Sequence, residues 1–151
     1  MPNIGTMVDP LTTHRFAVEI DGLVLGSFDE CSGLQGSMDV YEYKEGGLNG
    51  YTHKLPGRLS WGNITLKWGT TDSTKLWEWF RAVNSDVNKA RDYRNVSIIQ
   101  FKESGAEARR WNLESAFPVK WAGPSLNAGQ SAISIETLEL ACADVTLVKA
   151  G

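Results

Sequence analysis

Apolar and polar residues alternate along most of this chain. In the segment 15–21, Phe16, Val18 and Ile20 are interleaved with Ala17, Glu19 and Asp21, the period-two pattern of a strand with one buried face. Asp21-Gly22 reads as a hairpin turn, because both residues tolerate positive φ, and LVLGSFDE is expected to return as the partner strand. MDVYEYKE, at 38–45, predicts a further strand. NITLKWG places Ile64, Leu66 and Trp68 on one face and Thr65 and Lys67 on the other, and NVSIIQFK is a compact β-branched run. From Trp111 onward the odd positions Trp111, Leu113, Phe117, Val119 and Trp121 are apolar. Pro118 falls out of phase there, as at a strand end or a sheet edge. Near the C-terminus Ile133 and Ile135 share one parity, whereas Leu138, Leu140 and Cys142 share the other. That slip predicts a β-bulge at Thr137, bending a long strand from one sheet into the next.

One segment breaks the alternation with a helical period. In TTDSTKLWEWFRAVNSD, Leu76, Trp79, Phe80 and Val83 follow the i, i+3, i+4, i+7 spacing of an apolar stripe, and Trp77 widens it. Thr71, Asp72 and Ser73 are candidate N-caps, and Asn84-Ser85-Asp86 ends the helix. About seven or eight short strands with one amphipathic α-helix predict a mainly β fold, a two-sheet β-sandwich or barrel. The stretch YEYKEGGLNGYTHKLPG, 41–57, fits neither period. It starts as a strand, then carries four glycines, a proline, charges, Asn49, Tyr51 and His53, and reads as an extended arm at about 44–57.

Composition narrows the function classes. A chain of 151 residues has the length of one domain and buries roughly 70% of its unfolded surface without staples. Its 42% hydrophobic and 22% charged residues are those of a folded chain, and its net charge of -3 provides no basic surface for nucleic acid. The N-terminal segment lacks a basic stretch followed by an apolar core, and no apolar run reaches membrane-spanning length. The expectation is synthesis in the cytoplasm without a signal peptide or membrane anchor. Cys31 and Cys142 lack metal spacing and read as two free, small, semi-apolar residues.

A search for chemistry yields no constellation. His14 and His53 have no metal-ligand neighbours at helical or strand spacing, no serine sits in a nucleophile elbow, and the arm's glycines lack the Gly-Lys-Ser/Thr ending of a phosphate loop. Glu42 and Glu45 fall on opposite faces of an extended strand. Asn63 and Asn95 match the glycosylation pattern inside predicted strands. Six tryptophans are the compositional oddity, and most are in phase with neighbouring aliphatics, as core or interface residues are. No catalytic, cofactor or metal site is expected, which leaves surface for protein contact.

The order of segments resembles the tail tube proteins of contractile phage tails and of extracellular contractile injection systems. DPLTTHRFAVEIDG looks like the family's opening, GSFDECSGLQGSMDVYEYKEGG like its F-x-E-x-S-G-L segment and Glu-Gly-Gly strand, and KLPGRLSWGNITLKWG like its Leu-Pro and I-x-L-K-x-G run. WNLESAFPVKWAGPSLNA and ISIETLEL resemble its last segments. Cys31 departs from the small aliphatic residue expected there. The resemblance spans nearly all of residues 1–151 as a single tail-tube domain. It implies a structural, non-enzymatic subunit that self-assembles into stacked hexameric rings forming a hollow conduit.

The resemblance further implies that the arm reaches neighbouring subunits and the adjoining ring, which makes Glu45, Gly46, Gly47, Asn49, Tyr51 and His53 the candidate inter-subunit contacts. Implied partners are copies of the chain, a sheath protein, baseplate and tube-terminator proteins, and cargo or DNA passing through the lumen without specific nucleic-acid recognition. The implied location is an assembled tail or injection particle, released or retained. A tube initiator forming one ring and the tube component of type VI secretion are alternatives within the class. A tryptophan-rich carbohydrate-binding sandwich is the alternative from another class.

Overall fold

The computed structural model describes residues 10–24, 28–43, 52–85 and 93–149. Among them are ten strands and one helix: β1 (Phe16–Ile20), β2 (Leu23–Val24), β3 (Glu30–Ser32), β4 (Gly36–Tyr43), β5 (His53–Trp61), β6 (Ile64–Gly69), α1 (Lys75–Ser85), β7 (Arg94–Phe101), β8 (Glu107–Ala122), β9 (Ile135–Ala141) and β10 (Asp144–Lys149). Eight strands pair antiparallel in the order β2-β1-β7-β8-β9-β6-β3, with β10 also on β8, while β4 and β5 form a separate two-stranded sheet. The fold is the mainly β, two-layer sandwich with one helix that the alternation predicts.

The Asp21-Gly22 turn forms as expected. Both residues have positive φ (52° and 80°), and the turn pairs Glu19 with Val24 and Ile20 with Leu23. The remainder of that predicted return strand diverges, since Glu30–Ser32 joins β6 in the other layer. The two layers share one long ribbon. The N-terminal part of β8 pairs with β7 and β10, whereas Phe117 to Ala122 pairs with β9. One layer is therefore β2-β1-β7-β8-β10 and the other is β8-β9-β6-β3. The chain crosses between layers at Ser115, whose φ of 51° is a left-handed conformation. Opposite it, Cys142-Ala143 joins β9 to β10, and Ala143 N donates to Glu114 O at 2.9 Å.

These crossings correct two sequence expectations. No bulge interrupts the pairing of β9 with β6, which runs in one register from Ile135 to Leu140. The passage of a long strand between layers, expected at Thr137, occurs at Cys142-Ala143. Ile133 and Ile135 are simply exposed (82% and 43%), whereas Leu138 and Leu140 are fully buried. The odd-parity stripe of β8 is not continuous either. After Leu113 the left-handed Ser115 shifts the phase, so Ala116 and Pro118 are buried and Val119 faces solvent. An extra residue at Val119 then restores the parity for Trp121. Pro118 thus lies inside a strand, beside a bulge and on the half of β8 whose outer edge carries no strand among the described residues. Asn63 lies in the two-residue turn between β5 and β6 rather than in a strand.

The core is a single cluster drawn from both layers: Val18 and Ile20, Val96 and Ile98, Leu113, then Ile64, Leu66, Trp68, Leu138 and Leu140, with Trp79 from the helix. Helix α1 buries Trp79 fully and leaves Leu76, Phe80 and Val83 half-buried, as its stripe predicts. The helix is capped one residue later than expected. Glu78 N donates to Thr74 O at 2.9 Å, the first helical bond, and Thr74 Oγ1 bonds the Glu78 carboxylate. Thr71 is engaged instead in a local turn that accepts from Ser73 N at 3.3 Å.

Candidate assembly interface

Residues 41–43 and 53–57 of the stretch 41–57 belong to the two strands of a β-hairpin, β4 and β5, and residues 44–51 lie outside the described residues. The hairpin's second strand, β5, was not apparent from alternation because Pro56 and Gly57 interrupt it. The pairing runs from Gly36 opposite Trp61 to Tyr43 opposite His53, with a register shift that sets Gly57 and Arg58 against Asp39. A proline at such a bulge loses no regular ladder bond. A Cβ on Gly57 would lie 2.5 Å from the Tyr41 ring and 3.0 Å from Asp39 O, so Tyr41 lies over this glycine and only a residue without a side chain fits. At the base, Gly62 N donates to Gln35 O at 2.9 Å.

The bulge sorts the hairpin into two dissimilar faces. Alternation and register place Met38, Val40, Leu59, Pro56 and Trp61 on one face, with Glu42 and Lys54 at its far end. The other face carries Ser37 and Ser60, whose hydroxyls are 3.2 Å apart, then Asp39, Arg58, Tyr41, Leu55, Tyr43 and His53. Met38, Val40, Tyr41, Tyr43, Leu55 and Leu59 are all between 47% and 61% exposed. No other strand pairs with this sheet among the described residues.

Of the residues the resemblance nominates, Glu45, Gly46, Gly47, Asn49 and Tyr51 lie outside the described residues. His53 begins β5 directly opposite Tyr43, with ring centroids 6.5 Å apart. The apolar residues Met38, Val40, Leu55 and Leu59 were not singled out by sequence reasoning. Their signal was present as alternation in β4, but alternation alone does not distinguish a strand that buries its apolar face in its own core from one that offers it to a neighbour.

Elsewhere the sandwich satisfies its own surfaces. Outside the first layer, Arg110 donates to Glu107 at 2.6 Å and to Glu19 at 2.9 Å. The hydrogen bonds it donates to Glu19 and then to Glu107 raise the guanidinium's pKa above its ordinary value. The arginine pairs directly with Ile99, which is buried at 3%. Two features of the second layer remain open. Its lateral edges, β3 on one side and Phe117 to Ala122 of β8 on the other, have no strand beyond them among the described residues. Near the second edge Trp121 packs against Trp77 at 4.6 Å, and its Nε1 is buried without a hydrogen-bond partner. A groove of about 410 Å³ is also lined by Phe16, Leu34, Ile98 and Trp111 together with Asp29 and Glu30. Cys31 lines it, and burial followed by the charge of Glu30 pushes its thiol up to about 11. Both cysteines are free. Among the described residues no three His, Cys, Asp or Glu side chains gather as metal ligands, and no helix is long and apolar enough to cross a membrane.

The family model of the T4-like virus tail tube protein gp19 matches residues 12–146. The chain belongs to this tail tube family. Similar tube-fold chains occur in solved assemblies. One, in the extended sheath-tube complex of the PVC extracellular contractile injection system, is 27% identical with a TM-score of 0.80, and the match covers 93% of each chain. Another, in the tube-terminating cap of the anti-feeding prophage, is 27% identical with a TM-score of 0.83, covering 99% of this chain and 100% of that one. Hcp1 from Flavobacterium johnsoniae, at 17% identity and a TM-score of 0.56 over 90% of this chain and 96% of that one, shares the fold. No curated protein sequence matches significantly. As a tail tube protein, the chain has the mainly β sandwich of its relatives and carries the hairpin as an outlying element.

Proposed function

We propose that this tail tube protein is a structural subunit whose copies close into hexameric rings that stack into the hollow inner tube of a contractile injection particle. The observation that carries this reading is the unfinished state of the protomer: a second layer with two open lateral edges, and a hairpin with apolar side chains exposed on both faces. Pairing one copy's β3 edge with the next copy's β8 edge would continue the layer around a ring and remove both edges, which otherwise invite aggregation. Pro118 and the bulge at Val119 restrict pairing on the β8 side, leaving the stretch from Lys120 to Ala122 as its regular part. Isolated two-stranded hairpins are marginal in water. Burying what remains exposed of each large apolar residue on the arm is worth roughly 1 kcal/mol.

The whole chain is read as one tube domain, with Glu45, Gly46, Gly47, Asn49, Tyr51 and His53 as contacts between copies. Its role is mechanical rather than enzymatic. A sheath, a baseplate and a terminator are its partners, and cargo or DNA passes through the lumen without specific recognition. Its place is an assembled tail or injection particle, made in the cytoplasm and either released or retained. Similar chains come from a sheath-tube complex, a tube-terminating cap and a baseplate, which agrees with this set of partners.

The test is recombinant protein viewed by negative-stain microscopy with sizing over a broad concentration range. Hexameric rings that stack into tubes are expected. Rings that never stack would assign the initiator role instead, and a monomer at every concentration, even with sheath and baseplate added, would overturn the reading.

A further inference from the structure

The backbone reaches β1 by way of the groove. Arg15 still follows the line of the sheet, since Phe101 N donates to Arg15 O at 2.9 Å. Thr12 has left it. Its carbonyl accepts from the side-chain Nε2 of Gln100 at 2.9 Å, and Gln100 shares the core-facing parity of Val96 and Ile98 on β7. Gln100 and Thr13 both line the groove. The chain before β1 therefore turns off the sheet on the side where the groove lies.

The groove is a part of the core with incomplete cover. Phe16, Trp111 and Cys31 pack against the core cluster yet stay only half-buried. Leu147, opposite Trp111 on β10, is 51% exposed. The charged residues of the lining are both acids, Asp29 and Glu30, and Glu30 is held by Lys67 at 3.3 Å. A fitting occupant is apolar and brings no carboxylate to that side. Residues 1–9, MPNIGTMVD, lie outside the described residues. They include Ile4, Met7 and Val8, and Asp9 is their one charged side chain. Nine residues can reach up to about 30 Å.

We propose that the segment 4–8 of the same chain seats in this groove, with Met7 and Val8 against Phe16, Leu34 and Trp111 and with Asp9 outside it. The volume of about 410 Å³ has room for aliphatic side chains of this size. The tether selects the chain's own segment over that of a second copy. Only residues 9–11 separate Val8 from the anchored Thr12, and so short a linker gives an effective concentration in the millimolar range, far above that of dilute protein. The seat completes the lone protomer by covering apolar surface, and it stands apart from the assembly reading.

The experiment uses dilute full-length protein with Cys142→Ser, which leaves Cys31 in the groove lining as the reporting thiol. Alkylation of Cys31 is expected to run severalfold faster once Met7→Asp and Val8→Asp are added, because the seated segment no longer shields it. Met7→Ala with Val8→Ala, which brings no charge beside Asp29 and Glu30, is expected to give a smaller increase of the same sign. It decides the matter if the aspartate variant loses its native circular dichroism. Equal rates in the background and the alanine variant overturn the proposal.

Oxidation provides the second arm. In the Cys142→Ser background, Met7→Cys is expected to form a disulfide with Cys31 within one chain, several times faster than Thr6→Cys at the neighbouring polar position. Equal rates from the two positions mark an unseated segment and overturn the proposal. A disulfide formed mainly between chains assigns the groove to a second copy's segment and overturns it as well.

Discussion

Leu138 and Leu59 are the same residue type, each in a paired β-strand, yet one is wholly buried and the other 47% exposed. Leu138 belongs to the core cluster drawn from both layers and joined by Trp79 of the helix. Leu59 belongs to a two-stranded sheet to which no other strand pairs among the described residues. The sandwich buries a core shared between its layers and covers its outer Ile99 with a charge network. The hairpin is finished only at its base. On the proposed reading the second region is shaped for a neighbour, because an apolar pattern without a core behind it adds little to the stability of a lone chain.

Paired substitutions give the largest effect. Leu138→Ala should cost about 2–5 kcal/mol of protomer stability by denaturant unfolding, as a buried leucine leaving a cavity does. Leu59→Ala should stay within about 0.5 kcal/mol in the monomer while impairing assembly. Equal losses from the two in the monomer would contradict the division drawn above.

Next comes the crossing between layers. Ser115→Val forces a β-branched side chain into a left-handed conformation and should cost about 1–3 kcal/mol, whereas Ser115→Gly should be neutral or stabilise by up to about 1 kcal/mol. Destabilisation by the glycine would mean that the serine side chain, rather than the backbone angle, governs this corner. In the hairpin, Gly57→Ala meets the Tyr41 ring and Asp39 O. It should loosen the arm, with faster amide exchange across β4 and β5, and leave the exchange of β6 and β9 unchanged.

The smallest effect is chemical. With its pKa raised, Cys31 has little thiolate at neutral pH, so it should react with thiol reagents more slowly than an unperturbed cysteine. Its rate should climb until the pH nears 11. The same shift makes the folded state favour the neutral thiol. Its contribution to stability is therefore complete below the unfolded pKa near 9 and is lost as pH rises toward 11. Cys31→Ser should abolish that decline.

Much of the fold was legible because burial imposes period. β1, β6 and α1 each place the residues nominated by alternation or helical spacing in the core. The missed pieces have physical reasons. β3 is only three residues long, too short to show a period. β5 carries Pro56, Gly57 and two cations, Lys54 and Arg58, and its extra residue flips parity so that Leu55 and Leu59 face opposite ways. β8 changes phase at a serine, which carries no sequence mark of a left-handed conformation. Of the arm nominated at about 44–57, only residues 52–57 fall among those described. The resemblance drew attention to polar and glycine positions at 45–53, while the exposed apolar set at 38, 40, 55 and 59 needed the absence of a second layer to be seen.

The central claim is that the hairpin's apolar residues serve contacts between copies and not the protomer's own stability. The most direct measurement compares unsubstituted protein with a Val40→Asp/Leu59→Asp variant by thermal unfolding of the dilute monomer and by electron microscopy at high concentration. The account predicts midpoints within about 4 °C of each other, with rings and tubes from the former and monomers from the latter. Tubes formed equally well by both proteins, or a variant monomer that no longer folds, would contradict it.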